Sequence, residues 1–297
     1  MLVQLNNKRM YKQILEEEGR TSSESYRTAV KDIKIADIGN YDGEGLDYDG
    51  YMELPKYIYD AVKTNSIKRI MKWLGSPVNK KKLSARYPGH LNYTLVHMAV
   101  YAKNSDLLSI LLQHGADINA LDANEYSPLI IATDEDGFEQ AKILLEWGAE
   151  ISLPRDDLQY ARDRGLSVRD AFIQQTLDES GKIANLISSE FGGRRCEVIN
   201  LPNHPQLNGK ACVVEKYIAK KERYKIIFEG SGNAALVGPN NLKRRDRIPL
   251  DCGYYITFKN GRMSRREFAT KEECQAYVAS LGGDVKSTAE GLASLKL

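Results

Sequence analysis

The stretch "YTLVHMAVYAKNSDLLSILLQHGADIN" (93–119) is followed by "YSPLIIATDEDGFEQAKILLEWGAEIS" (126–152), and the two align residue for residue. Thr94 falls on Ser127, Ala99 on Ala132, Leu112 on Leu145 and Gly115 on Gly148, each 33 positions on. A third copy lies upstream, "YIYDAVKTNSIKRIMKWLGSPVN" (57–79). Its Ala61 and Leu74 keep the Ala-to-Leu spacing of 13 found between Ala99 and Leu112 and between Ala132 and Leu145. The offset from first to second copy is 38, which puts an insertion of five residues in the loop "NKKKLSARYPGHLN" (79–92). A fixed period of this length marks stacked supersecondary units, none of which can bury its apolar face alone.

Each copy reads as two short amphipathic helices, too short to persist alone in water. Ala61, Ala99 and Ala132 allow close helix approach, and the Leu pairs with Ile70, Ile110 and Ile143 supply the face that meets the next copy. Gly115 and Gly148 are placed to end the second helix in the left-handed conformation.

Thr-x-x-His-x-Ala at 94–99, followed by "LLQHGADIN" (111–119) and "LLEWGAEIS" (144–152), strongly resembles the ankyrin repeat. A degenerate fourth unit is read at "DDLQYARDRGLSVRDAFIQQ" (156–175), so the resemblance covers about 55–175. It implies a helical solenoid that binds other proteins through its fingers and inner helices. Carried over by position, the finger is "ALDANEY" (120–126), with Leu121, Asp122, Asn124, Glu125 and Tyr126 as protein-binding candidates. The inner-helix equivalents are Tyr101, Lys103, Asp134, Glu135 and Asp136. Trp73 and Trp147 are expected to pack between repeats.

His97 would be the obvious candidate for chemistry in "TLVHMA" (94–99). In the ankyrin pattern this histidine bonds locally to the turn, and Ile130 replaces it in the next copy, so His97 is expected to be structural. No GxSxG, HExxH or P-loop pattern occurs in the chain, and no catalytic, cofactor-binding or metal-ligating residue is assigned. The protein is expected not to be an enzyme and to take no small-molecule substrate.

From Arg194 the pattern changes to short β-runs: "RCEVINL", "GKACVVEKY", "RYKIIFE" and "AALVGPNNL". Gly209-Lys210, Arg223-Tyr224-Lys225-Ile226 and Pro239-Asn240-Asn241-Leu242 make this region similar to a small Src-homology-3-like barrel of the KOW or Tudor kind. Algal and protist proteins that join ankyrin repeats to such a barrel often add a MYND zinc finger. This chain has no cysteine cluster, so zinc is not carried over. "YYITFKNGRMSRREF" (254–268) then reads as a hairpin about Asn260-Gly261, and "TKEE" (270–273) as a capping box opening a helix to about Leu281. This ββα unit is too small to stand alone and is expected to pack on the barrel.

The expected fold class is therefore multidomain: an all-α ankyrin solenoid, a small all-β barrel and a ββα appendix. The boundaries are a helical and acidic extension at 1–54, repeats at 55–175, a linker helix at 176–193 ending at Gly192-Gly193, the barrel at 194–249, the ββα unit at 250–283 and a tail at 284–297. Within the extension, "ADIGNYDGEGLDYDGYMEL" (36–54) is acidic but fails the ligand order of a calcium loop.

The net charge of +2 is unevenly spread. Residues 194–297 carry 19 Lys/Arg against 11 Asp/Glu, and the rest carries 23 against 29. Lys220, Lys221, Arg223, Lys225, Lys243, Arg244, Arg245 and Arg247, with Arg262, Arg265 and Arg266 from the hairpin, form a candidate anion- or RNA-binding set. Two readings stay open. One is a non-catalytic protein–protein adaptor or accessory subunit of a larger intracellular assembly. The other is a nucleic-acid-associated protein that meets RNA through the basic barrel. The four unclustered cysteines point to reduced thiols, and the chain has neither an 18-residue apolar run nor the apolar core of a signal peptide. The expected location is intracellular, most simply cytoplasmic, or organellar if a transit peptide has been removed.

Overall fold

The computed structural model describes residues 51–175, 181–259 and 262–281. The helices and loop expected within 1–50, the turn at Asn260-Gly261 and the tail lie outside the described residues.

Four helix pairs follow one another: α1 (Lys56–Lys63) with α2 (Ile67–Leu74), α4 (Leu95–Tyr101) with α5 (Ser105–Gln113), α6 (Pro128–Asp134) with α7 (Phe138–Glu146), and α8 (Arg155–Asp163) with α9 (Val168–Gln175). The insertion folds into a short helix, α3 (Lys80–Leu83), and a two-residue hairpin of β1 (Arg86–Tyr87) and β2 (Tyr93–Thr94). The alanines 61, 99, 132 and 161 are all buried, and so are the leucines of α5 and α7. The backbone repeats as faithfully as the side chains. Asn65, Lys103 and Asp136 end the inner helices in the left-handed region, and Gly165 takes that place in the fourth pair.

A helix α10 (Lys182–Ile187) leads to Gly192 and Gly193, which form a tight junction. A Cβ on Gly192 would lie 1.6 Å from the Leu186 carbonyl oxygen, and one on Gly193 would lie 2.8 Å from Leu145 Cδ1.

The next unit is one antiparallel sheet of β3 (Arg195–Val198), β4 (Ala211–Ile218), β5 (Arg223–Phe228), β6 (Ala234–Val237) and β7 (Leu242–Arg244), in the order β6-β5-β4-β3-β7. Its own small core holds Cys196, Val198, Cys212, Val214, Tyr224, Ile226 and Phe228. The edge strands β6 and β7 are joined by a single 3-10 turn, Pro239–Asn241, so the sheet curls to bring its edges together. No ladder joins β6 to β7, and the expected barrel is an open sheet.

The last unit is the hairpin β8 (Tyr254–Lys259) and β9 (Arg262–Glu267) with helix α11 (Lys271–Ser280). Thr270 caps the helix by accepting from the Glu273 N–H at 3.2 Å, while the Glu273 carboxylate accepts from Ala269 N–H, one residue earlier than expected. The unit meets the sheet through Asp251 and Ala269, but its apolar face packs on the repeats. Cys252, Tyr254, Ile256, Phe268, Cys274 and Val278 belong to the same apolar core as the repeats. Its seat is the outer helices α5 and α7. The buried Gln113 amide donates to Ile256 O at 2.6 Å and accepts from Ile256 N–H at 3.0 Å, which mimics a neighbouring strand. Trp147 is buried in the core of the repeats, and its indole N–H donates to the Tyr254 hydroxyl at 3.0 Å. The hairpin closes the outer face of the array because β8 is apolar on one side and needs a partner there.

Candidate functional site

The hairpin covers part of the outer face, and in the first three repeats the large apolar side chains left exposed, Tyr57, Tyr101 and Leu121, lie on the inner helices and the second finger. His97 does not belong to that surface. It is fully buried, its Nδ1 accepts from Thr94 N–H at 3.2 Å, and its Nε2–H donates to Tyr126 O at 3.1 Å. Those partners select the neutral Nε2–H tautomer. Burial pushes the imidazole pKa down to about 4, against the smaller opposing effect of the Tyr126 carbonyl. A base that is neutral, enclosed and doubly bonded ties one repeat to the next and has nothing to offer a substrate.

In the finger, Asp122 is buried and organises the loop. One carboxylate oxygen accepts from Asn124 N–H at 2.7 Å and Tyr126 N–H at 2.8 Å. Glu125 grips the start of α8, pairing with Arg155 Nε at 2.9 Å and accepting from Arg155 N–H at 3.0 Å. Tyr126 is half-buried and lends its carbonyl to His97. Of the five finger residues, Leu121 and Asn124 are exposed. On the inner helices Tyr101 is 45% exposed, Lys103 and Asp136 are exposed, and Asp134 and Glu135 are half-buried.

The inserted finger, which sequence reasoning treated only as an insertion, continues this surface. Tyr87 stacks on Tyr59 of α1 with ring centroids 4.3 Å apart, and Lys63 lies over the Tyr59 ring at 4.7 Å. His90 lies edge-on to Tyr93 at 4.5 Å and to Tyr101 at 5.6 Å. Arg86 reaches the second finger, donating to Leu121 O at 2.6 Å while its guanidinium covers the Tyr51 ring. An aromatic band therefore runs from the first inner helix across the first finger to the second inner helix. The density of tyrosine and histidine between 57 and 101 was its only trace in the sequence.

The basic set separates into two groups. Arg247 is buried; it binds Glu146 at 2.9 Å, Glu229 at 2.6 Å and the Cys252 carbonyl, and its own N–H donates to Glu146 O. Burial alone would lower its pKa, but Glu146 and Glu229 outweigh that and raise it. Arg245 bridges Asp251 at 2.7 Å and Glu197 at 3.3 Å. Two arginines outside the candidate set join them. Arg195 pairs with Glu229 and Asp251, and Arg194 donates to the Leu145 and Ala149 carbonyls at the end of α7. Arg247 and Arg194 bind the sheet to the last repeats, while Arg195 and Arg245 tie it to the turn at Asp251. Arg244 pairs with Asp246, Lys225 with Glu215 and Arg265 with Glu267, and Arg266 covers the Tyr277 ring at 4.8 Å. Lys220, Lys221, Arg223, Lys243 and Arg262 remain exposed, with no ion pair among the described residues. Among the described residues no cluster of His, Cys, Asp and Glu could hold a metal ion, and no helix is long and apolar enough to cross a membrane.

The helix pairs, the buried Thr94–His97 lock and the projecting fingers match a known family. Residues 58–155 fit the family model of ankyrin repeats in three copies. Residues 58–155 are ankyrin repeats. Over 60 residues, a fifth of this chain, it is 40% identical to the transient receptor potential cation channel subfamily A member 1 of Drosophila melanogaster, of which the match covers 5%. Over 152 residues, 49% of this chain, it is 28% identical to a putative ankyrin repeat protein of Fowlpox virus (strain NVSL), of which the match covers 21%. The chain thus spans a small part of the length of either relative. Both matches are shorter than the chain.

Proposed function

We propose that the chain is a non-catalytic protein-binding module, an adaptor or accessory subunit within a larger assembly, whose ankyrin repeats take a partner on the inner helices and the first two fingers. The carrying observation is the division between the two faces of the array. The C-terminal ends of the outer helices α5 and α7 carry the hairpin through Gln113 and Trp147, whereas Leu121, Tyr101 and Tyr57 are exposed beside the Tyr59–Tyr87 stack. Tyrosines presented on rigid elements make good anchors, because they bury much area for little lost side-chain freedom. A photo-crosslinking amino acid at position 101 or 121, read by mass spectrometry in extract of the source cell, tests the reading. Discrete adducts that disappear with Tyr87→Ala are expected. Crosslinks no different from those at position 139, exposed on the outer helix α7, would overturn it.

The competing reading, RNA contact, draws support from the cations without ion pairs, Lys220, Lys221, Arg223, Lys243 and Arg262. Binding of a single-stranded RNA oligomer that weakens steeply with salt, and less steeply in Lys220→Glu/Lys221→Glu, would favour it. No binding at low salt would remove it.

A further inference from the structure

The open seam of the curled sheet forms a groove of about 500 Å³ between β6 and the loop 200–208. Its floor is aliphatic: Leu201, Leu207, Ala235 and Val237. Its rim is polar, with Arg223 and His204. The loop on the far side is pinned in place. Asn208 accepts from Leu201 N–H at 2.9 Å, and Asn241 donates to the Asn200 carbonyl at 2.8 Å. β6 is an edge strand. Phe228 N–H donates to Asn233 O, and Ile226 lies opposite Ala235 and Tyr224 opposite Val237. In an antiparallel ladder this phase turns the N–H and C=O of Leu236 away from β5, towards the open edge. Leu236 is 38% exposed, and Arg223 has no ion pair among the described residues.

We propose that this groove is a second docking site, distinct from the ankyrin surface, and that it takes an extended acidic peptide segment of a partner protein. The peptide adds a strand to β6 through the backbone of Leu236, seats an aliphatic side chain on Leu207 and Val237, and gives a carboxylate to Arg223. Three features favour this occupant. An edge strand beside an apolar trough is the usual receptor for an extended chain, with backbone bonds for affinity and alternate side chains for specificity. An uncommitted guanidinium presents the fork that fits a carboxylate, and Lys220 and Lys221 at the adjoining turn add charge of the same sign. Nucleic acid fits the trough less well, because no Phe, Tyr or Trp lines it and His204 at the rim is the one ring there that could stack on a base.

The test selects phage-displayed random heptapeptides on the intact chain, then measures the best one by fluorescence anisotropy. The expected consensus places an Asp or Glu two positions from a Val, Ile or Leu, since alternate residues share a face of a strand. Arg223→Glu should weaken that peptide about tenfold or more, Arg223→Lys less, and Tyr87→Ala on the array not at all. Arg223 is exposed, so the variant is expected to keep the parent melting temperature. Ala235→Trp, which fills the trough, should abolish binding, with the sheet checked by circular dichroism. A basic or absent consensus, binding that Arg223→Glu leaves intact, or displacement of the peptide by single-stranded RNA but not by excess unlabelled peptide would overturn the proposal. None of these outcomes bears on the crosslinks at position 101, so the two sites stand or fall separately.

Discussion

The repeats are held by bonds that recur at one interval, whereas the junction with the C-terminal sheet is held by arginines that occur once. Along the array, Thr94 and Ser127 cap their inner helices in the same way, and the left-handed residues 65, 103 and 136 sit in register. At the junction, Arg247 reaches Glu146 and Arg194 reaches Leu145 and Ala149, while Arg195 shares Glu229 with Arg247 from the side of the sheet. Periodic bonds can be lost one repeat at a time. A single-copy buried network fails as a whole, because each missing partner leaves another charge without a counter-ion.

The largest effect should come from breaking that network. Arg247→Ala leaves Glu146 and Glu229 close together without their shared cation, and should cost roughly 3–5 kcal/mol. Urea denaturation followed by circular dichroism should show it. A loss under about 1 kcal/mol would mean that the arginines decorate the junction rather than hold it.

Acid should act on the array more than on the junction. His97 has a pKa of about 4 when folded and 6.5 when free, so the unfolded chain takes up the proton first. Its contribution is complete above about pH 6.5 and falls by roughly 3 kcal/mol as the pH drops to 4. His114, pushed to about 4 by burial and by Lys80, works in the same direction. Stability measured against pH in His97→Gln should be lower at neutral pH and flatter between 6.5 and 4. An unchanged slope would break the comparison.

A smaller effect is expected where the two regions meet through one amide. Gln113→Ala leaves the Ile256 N–H and C=O without partners, at about 1–3 kcal/mol. Hydrogen exchange should then rise in residues 254–259 while 95–101 stay protected. The smallest change is a gain. Lys103 is left-handed at φ 51°, and Lys103→Gly should raise stability by about 0.5–1 kcal/mol, visible as a small rise in melting temperature.

The array was legible because its period repeats the same physical problem. Thr94, Ala99 and Gly115 have counterparts at 33 residues, so each assignment checks another. The strands of the sheet were legible from their β-branched runs, but that it stays open instead of closing as a barrel was not, since pairing between edges leaves no mark in composition. The hairpin's seat was hidden because Gln113 looks like any polar residue on a helix, and nothing in its neighbours announces that it will act as a strand edge. Arg245 and Arg247 looked like surface charge because a sequence counts cations and does not show that Glu146 lies beside Arg247, 101 residues away. In the finger, the spacing located the loop but could not tell Leu121, which points outward, from Asp122, which holds the loop together.

The Gly192-Gly193 pair has a consequence for how far apart things are. Any side chain there would act as a wedge against Leu145 and Leu186 and tilt the sheet off the array. Without one, the inner face of the repeats and the groove at β6 sit at one fixed separation instead of swinging on a tether. A partner that engages both must carry its two contact segments at that spacing. For a partner that uses both proposed sites the molecule would act as a caliper: one with the right segments at the wrong spacing is held by one grip at a time and gains nothing from the second.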